Sequence, residues 1–225
     1  AFAAPGITIR AENRLGATID RIELPDAAGI TLSGVRADAI RMPDASRIRV
    51  EASDVGYMDA NRAEDIEIVG NAIGKAGANQ AVILNDVIGF EVSHNFFRET
   101  GQDQLRFTGE SAFGLIEYNV FDDVVADKTN NAEPHPDAIQ SFSRGGHTPH
   151  DITIRRNHLQ EEPTGDTFRQ GIFLADGAAE GYRNIVIEEN LIATGSPNAI
   201  VVASAPDGNV VVQNNTIMGW TPGSA

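Results

Sequence analysis

Apolar and polar residues alternate along this chain in short bursts, and the bursts repeat. The strongest copies read apolar-x-apolar-x-x-Asn-x-apolar. They run Ile66-Glu67-Ile68 with Asn71 and Ile73, Phe90-Glu91-Val92 with Asn95 and Phe97, and Gly114-Leu115-Ile116 with Asn119 and Phe121. Three more are Ile152-Thr153-Ile154 with Asn157, Ile185-Val186-Ile187 with Asn190, and Val210-Val211-Val212 with Asn215. Copies without the asparagine lie upstream at Ile7-Thr8-Ile9, Ile30-Thr31-Leu32 and Ile48-Arg49-Val50. Alternation with period two is a strand signal. A recurrence every 18 to 38 residues is a solenoid signal, in which each repeat buries its apolar face against its neighbours.

No segment keeps the i, i+3, i+4 pattern long enough to supply a crossover helix. Parallel strands without helices, stacked at about 4.8 Å per coil, give an all-β fold: a right-handed parallel β-helix of about nine coils. The asparagines are expected to stack at one corner as an asparagine ladder, where Asn tolerates left-handed geometry and its amide reaches the coils above and below. They are therefore read as structural. His94 and His158, which flank these corners, are read the same way.

Composition changes the picture in a few respects. A chain of 225 residues can bury a substantial core, and no linker or second composition regime interrupts it. One domain over 1–225 is expected, with shorter N-terminal coils over 1–60 and regular coils over 61–219 carrying insertions near 122–136 and 143–169. At 6% aromatic, the narrow interior is expected to be filled by Ile, Val and Leu. There is no cysteine, so disulfide and thiol chemistry are excluded. No apolar run approaches a transmembrane helix. A net charge of -15 disfavours nucleic acid and anionic membranes as partners. An acidic, cysteine-free β-solenoid suits an exported bacterial protein, secreted or periplasmic. Ala1-Phe2-Ala3-Ala4 is consistent with the start of a processed chain. The absence of an obvious cap near Trp220 predicts further domains or a covering partner.

Function in a solenoid is expected where coils depart from the repeat. A second strand recurs between the asparagine strands, at Gln80–Leu84, Asp103–Phe107, Asp137–Ser141, Gln170–Leu174 and Asn198–Val202. Long segments flank the copies at 137 and 170 on both sides, so these strands read as the floor of a groove. Alternation points Leu105, Ile139, Ile172 and Ile200 inward. Arg106, Gln140 and Phe173 then form one outward column, and Gln104, Ala138 and Gly171 another. The segment 122–137 is the most chemically dense, with Asp122, Asp123, Asp127, Lys128, Glu133, His135 and Asp137. The walls add Arg144, His147, His150, Asp166 and Arg169. Taken singly, each has a plain structural reading: a solvated lysine, a histidine stiffening a turn between prolines, an aspartate at a corner. Their coincidence with the insertions makes them candidates as a group.

The segment Pro134-His135-Pro136-Asp137-Ala138-Ile139-Gln140, with the repeats around it, resembles the right-handed parallel β-helix proteins that act on polysaccharides. That superfamily includes pectate lyase-like and alginate lyase-like enzymes and mannuronan epimerases. The resemblance covers the chain from about residue 60 onward. It implies an acidic, uronate-containing polysaccharide as partner, alginate for example, and β-elimination as the reaction. Such a reaction needs a neutraliser for the uronate carboxylate, a base for the C5 proton and an acid for the departing O4. Arg106, Gln140 and Arg144 are candidate neutralisers, Lys128 or His135 the base, and Tyr118 or His147 the acid. Gln104, Arg169 and Phe173 are candidate substrate-binding residues. Asp122, Asp123, Asp127 and Asp137, with Glu133, are a candidate oxygen-ligand set for Ca²⁺, although their spacing matches no EF-hand or nonapeptide repeat.

Two enzymatic alternatives and one binding alternative remain open. A C5-epimerase would use the same groups and return the proton from the other face. A hydrolase needs clustered carboxylates, and the coil after Asp137 offers Gly171-Ile172-Phe173 instead. A carbohydrate-binding or adhesin module needs no chemistry at all, but gives little reason to widen two coils.

Overall fold

In a computed structural model of the chain, the residues described are 6–75, 80–122, 124, 135–161, 168–175, 181–203 and 209–219. Among them every regular element is a β-strand. One sheet has nine strands in chain order: Ile7–Arg10, Ala28–Ser33, Ser46–Glu51, Glu64–Val69, Ile88–Ser93, Ala112–Glu117, His150–Arg155, Arg183–Glu188 and Val210–Gln213. A second sheet of fourteen strands accompanies it. Every pairing between these strands is parallel, and the chain curls as an all-β solenoid compatible with a β-helix. The register follows the period-two pattern: Ile66, Phe90, Gly114, Ile152 and Ile185 are successive partners.

The second sheet explains the uneven repeat. Arg36–Pro43 and Asp54–Asn61 are uninterrupted eight-residue strands. Asp54–Asn61 pairs through its first residues with Ala72–Ile73 and through its second half with Val82–Asn85. From that coil onward the long strand is split in two. Segments 74–81, 98–104, 123–136 and 161–169 all enter at this one break, between a short strand and its continuation. The step from one coil to the next grows from 18 to 24 and then 38 residues, while register on both sides of the break is kept.

The interior is apolar, with Ile40, Met58, Ile68, Val82, Leu105, Ile139, Ile154 and Ile187 each fully buried. Phenylalanine contributes more than composition suggested. Phe90, Phe97, Phe107, Phe121 and Phe168 are all buried, and Phe97 stacks on Phe121 with centroids 4.5 Å apart. Half of the ten phenylalanines are thus inside, and the register that places Phe97 over Phe121 stacks ring on ring, which fills a narrow cross-section efficiently.

The corner asparagines bond in series. Each donates from Nδ2 to the Oδ1 of the next, from Asn71 to Asn95, Asn119, Asn157, Asn190 and Asn215, at 2.9–3.1 Å. The left-handed residue at this corner is the one before the asparagine, not the asparagine itself: Gly70, His94, Tyr118, Arg156, Glu189 and Asn214 have φ between 53° and 67°. That geometry turns the asparagine inward, where its amide serves as a buried bridge between coils.

Candidate functional site

The first residues of the split strand's second half are polar and buried. Asp137 begins the strand Asp137–Phe142 and its partner across the ladder is Gln170. Asp103 lies one coil earlier, and its Oδ1 accepts the Asp137 backbone N–H at 3.3 Å. Both carboxylates are buried, Asp137 completely. Burial, and then the neighbouring Asp103, push the Asp137 carboxyl up to about 8. Burial likewise raises Asp103 to about 6, against the pull of Arg106.

Asp137 is surrounded by donors. Its Oδ1 accepts the Gln170 backbone N–H at 2.9 Å, and its Oδ2 accepts Gln140 Nε2 at 2.9 Å. The Gln170 amide, turned so that its nitrogen meets the carboxylate, donates to Oδ1 at 2.5 Å. His135 Nδ1 stands 3.4 Å from Asp137 Oδ2. The His135 ring is half-buried, and burial followed by the nearby Arg169 charge lowers its basicity, so the imidazole is neutral at pH 7. Phe173 lies beside it, with ring centroids 5.9 Å apart. Arg169 is tied in through its backbone, donating to Pro136 O at 2.5 Å.

Arg106, Gln140 and Phe173 are register partners on adjacent coils and are each partly exposed, so they form one outward column. Arg106 has its guanidinium over the Phe142 ring at 5.7 Å and 4.0 Å from Asp103 Oδ2. Its buried Nε has no hydrogen-bond partner among the described residues. The column continues toward the N-terminus through Ile83, Asp59 and Arg41. Tyr57 donates to Asp59 Oδ2 at 2.9 Å, and its phenol is pushed upward by burial and by Asp59.

The neighbouring column differs from the sequence reading. Gln104, Ala138 and Gly171 are buried, not open to a ligand. They sit beside the break in the long strand, at the start of its second half. Gln104 Nε2 donates to Asp122 O at 2.9 Å, fastening one half-strand to the other.

The remaining candidates fall in several places. Arg144 and His147 are both exposed and bridge each other's backbones in a small antiparallel turn, with Arg144 3.7 Å from Asp86. Tyr118 belongs to the asparagine corner, at the far end of the short strand Val120–Asp122 from the break. It stacks on His94 at 5.0 Å and accepts from Arg156 at 2.6 Å. Asp122 accepts from Gln160 Nε2 at 2.6 Å. Lys128, Asp123, Asp127, Glu133 and Asp166 lie outside the described residues. Among the described residues no three His, Asp or Glu side chains converge as a metal site.

The structure thus brings together His135, Asp137, Gln140, Arg169, Phe173 and Arg106. To these it adds Asp103 and Gln170, which sequence reasoning treated only as strand beginnings. Aligning the second strands on their first residue, and not only on their apolar ones, stacks Asp103, Asp137 and Gln170 in one column and would have exposed the carboxylate pair. Compared with known proteins, the chain matches no protein-family model and no curated protein.

Proposed function

We propose that this chain is a right-handed parallel β-helix of about nine coils, held at one corner by an asparagine ladder, that cleaves an acidic polysaccharide by β-elimination. The observation that carries the reading is the His135–Asp137 pair beside the Arg106–Gln140–Phe173 column. A neutral imidazole, a partly exposed guanidinium and a flat apolar face stand together on one floor. Those are the groups that a uronate ring requires.

Arg106 neutralises the substrate carboxylate, which makes the C5 proton acidic enough to remove. His135 takes that proton, the electron pair forms the C4–C5 double bond as the C4–O4 bond breaks, and the departing O4 is protonated by the His135 imidazolium or by water. Asp137 touches no substrate, being buried, and acts as a positioning residue. Once ionised it accepts the Nδ1–H of His135, which leaves Nε2 as the basic nitrogen. The raised pKa of Asp137 then predicts a rate that climbs as pH rises through about 8. Lys128 is the other base in this reading, and Ca²⁺ bound through Asp122, Asp123 and Asp127 would add to carboxylate neutralisation. Secretion or export to the periplasm agrees with such a substrate.

The test is incubation with alginate and pectate, with and without Ca²⁺, following the absorbance of an unsaturated uronate across pH 6 to 9. Signal that is lost in His135→Ala and Arg106→Ala, with the ascending limb removed in Asp137→Asn, supports the reading. A flat trace on every uronate polymer overturns elimination, and C5 proton exchange in NMR would then assign epimerisation. Hydrolysis needs carboxylates that reach the scissile bond, and the buried Asp103–Asp137 pair does not meet that requirement. New reducing ends without the unsaturated chromophore would overturn elimination in favour of hydrolysis.

A further inference from the structure

On the other half of the split strand lies a cleft of about 730 Å³, lined by Arg36, Asp38, Asp54, Gly56, Gly74, Lys75, Arg98, Glu99 and Asp122. The segments that enter at the strand break separate it in sequence from the Arg106–Gln140–Phe173 column. Its floor is formed by glycines for a steric reason. A Cβ at Gly56 would come within 2.7 Å of Asp38 O, and one at Gly74, where φ is +116°, would strike the Arg98 carbonyl. Side chains are thus excluded from the middle of the face, and a depression remains.

The walls are charged groups, several of them in ion pairs. Asp54 is shared by Arg36, at 3.4 Å, and Arg98. The Arg98 Nε also donates to Gly74 O at 3.0 Å, which lays its guanidinium across the floor. Lys75 Nζ meets Asp38 Oδ1 at 3.2 Å. Three cations face four carboxylates, so the cleft carries no excess positive charge and does not attract a polyanion.

An exposed aromatic flanks it. Arg36, Asp54, Ala72 and Phe96 are successive register partners. Phe96 is 41% exposed and, two residues before Arg98, stands on the same outward face. Between Asp54 and Phe96 in the register stands Ala72, whose side chain is a single methyl group. A flat apolar ring beside fixed, paired hydrogen-bonding groups fits the two faces of a sugar: C–H bonds against the ring, hydroxyls against carboxylate and guanidinium.

We infer that this cleft is a second, non-catalytic binding site for a neutral sugar unit, with Phe96 as its stacking platform and Asp54, Arg98 and Asp38 as its hydroxyl partners. The inference does not depend on the elimination chemistry. The experiment titrates the full chain with neutral manno-, galacto- and xylo-oligosaccharides up to about 10 mM, reading backbone amide shifts in NMR. Shifts at Gly56, Gly74 and Arg98, weakened about five-fold in Phe96→Ala and also in Asp38→Ala, are expected. Both side chains are exposed, so neither variant removes core packing. Absence of shifts, shifts at Gln140 and Phe173 instead, or an affinity unchanged by both variants would overturn the inference.

Discussion

Removing one asparagine from the middle of the corner series tests how much of the stability resides there. Asn119 is 1% exposed. Its Oδ1 accepts both the backbone N–H and the Nδ2 of Asn95, each at 3.0 Å. Its Nδ2 donates to Val92 O at 2.8 Å and to Asn157 Oδ1 at 3.0 Å. Asn157 Oδ1 keeps a second donor, the Asn119 backbone N–H. Asn119→Ala therefore strands two buried donors on Asn95. At about 1–3 kcal/mol for each unsatisfied buried group, the cost is about 2–6 kcal/mol. That is a large part of the 5–15 kcal/mol typical of a domain. Asn215→Ala supplies the control: it strands the same two groups on Asn190, but at a partly exposed end of the series where water can replace them. Its expected cost is about 1 kcal/mol or less. Urea unfolding followed by far-UV circular dichroism measures both, and amide exchange at Asn95 and Asn190 reports the local opening. Equal losses in the two variants, or a loss below about 1 kcal/mol for Asn119→Ala, would refute the reasoning.

Two further perturbations follow. Because the Asp137 carboxyl is raised in the folded state, the stability it contributes is complete below the ordinary carboxylate range and is lost as pH rises through about 8; thermal melts at pH 5 and pH 9 should differ clearly in the wild type and much less in Asp137→Asn. A Cβ at Gly114 would overlap the buried Phe90 ring, so Gly114→Ala should cost about 1–3 kcal/mol in urea midpoint analysis, and a neutral outcome would mean that the ring has room to move.

The strand register was legible because it is written in side chains that must alternate. Ile66, Phe90, Ile152 and Ile185 share one position of the alternation, and the ladder joins them in register through Gly114. So could Leu105, Ile139, Ile172 and Ile200. The corner was only half legible. Asparagine signals it, but the left-handed residue beside it is variously Gly70, His94, Tyr118, Arg156 and Glu189, a set with no shared chemistry. The buried carboxylate pair was hidden for a related reason. Asp103 and Asp137 lie at strand beginnings, where aspartate is ordinary, and only the stacking of coils makes them neighbours. Tyr118 and the Gln104 column show the converse limit: proximity to a groove residue in sequence says little about facing it once the chain has turned a corner.

The single break in the long strand also bears on how such a chain can be altered. Hydrogen bonds to the coils above and below fix both ends of every inserted segment, whatever its length. Lengthening a closed loop adds only about 0.6 kcal/mol per doubling. Each coil from Ala72 onward thus offers a socket whose contents can be exchanged while the neighbouring sockets keep their shape. Specificity in this architecture can be rewritten one loop at a time, and a transplanted segment needs to match only the separation of its two anchoring strands.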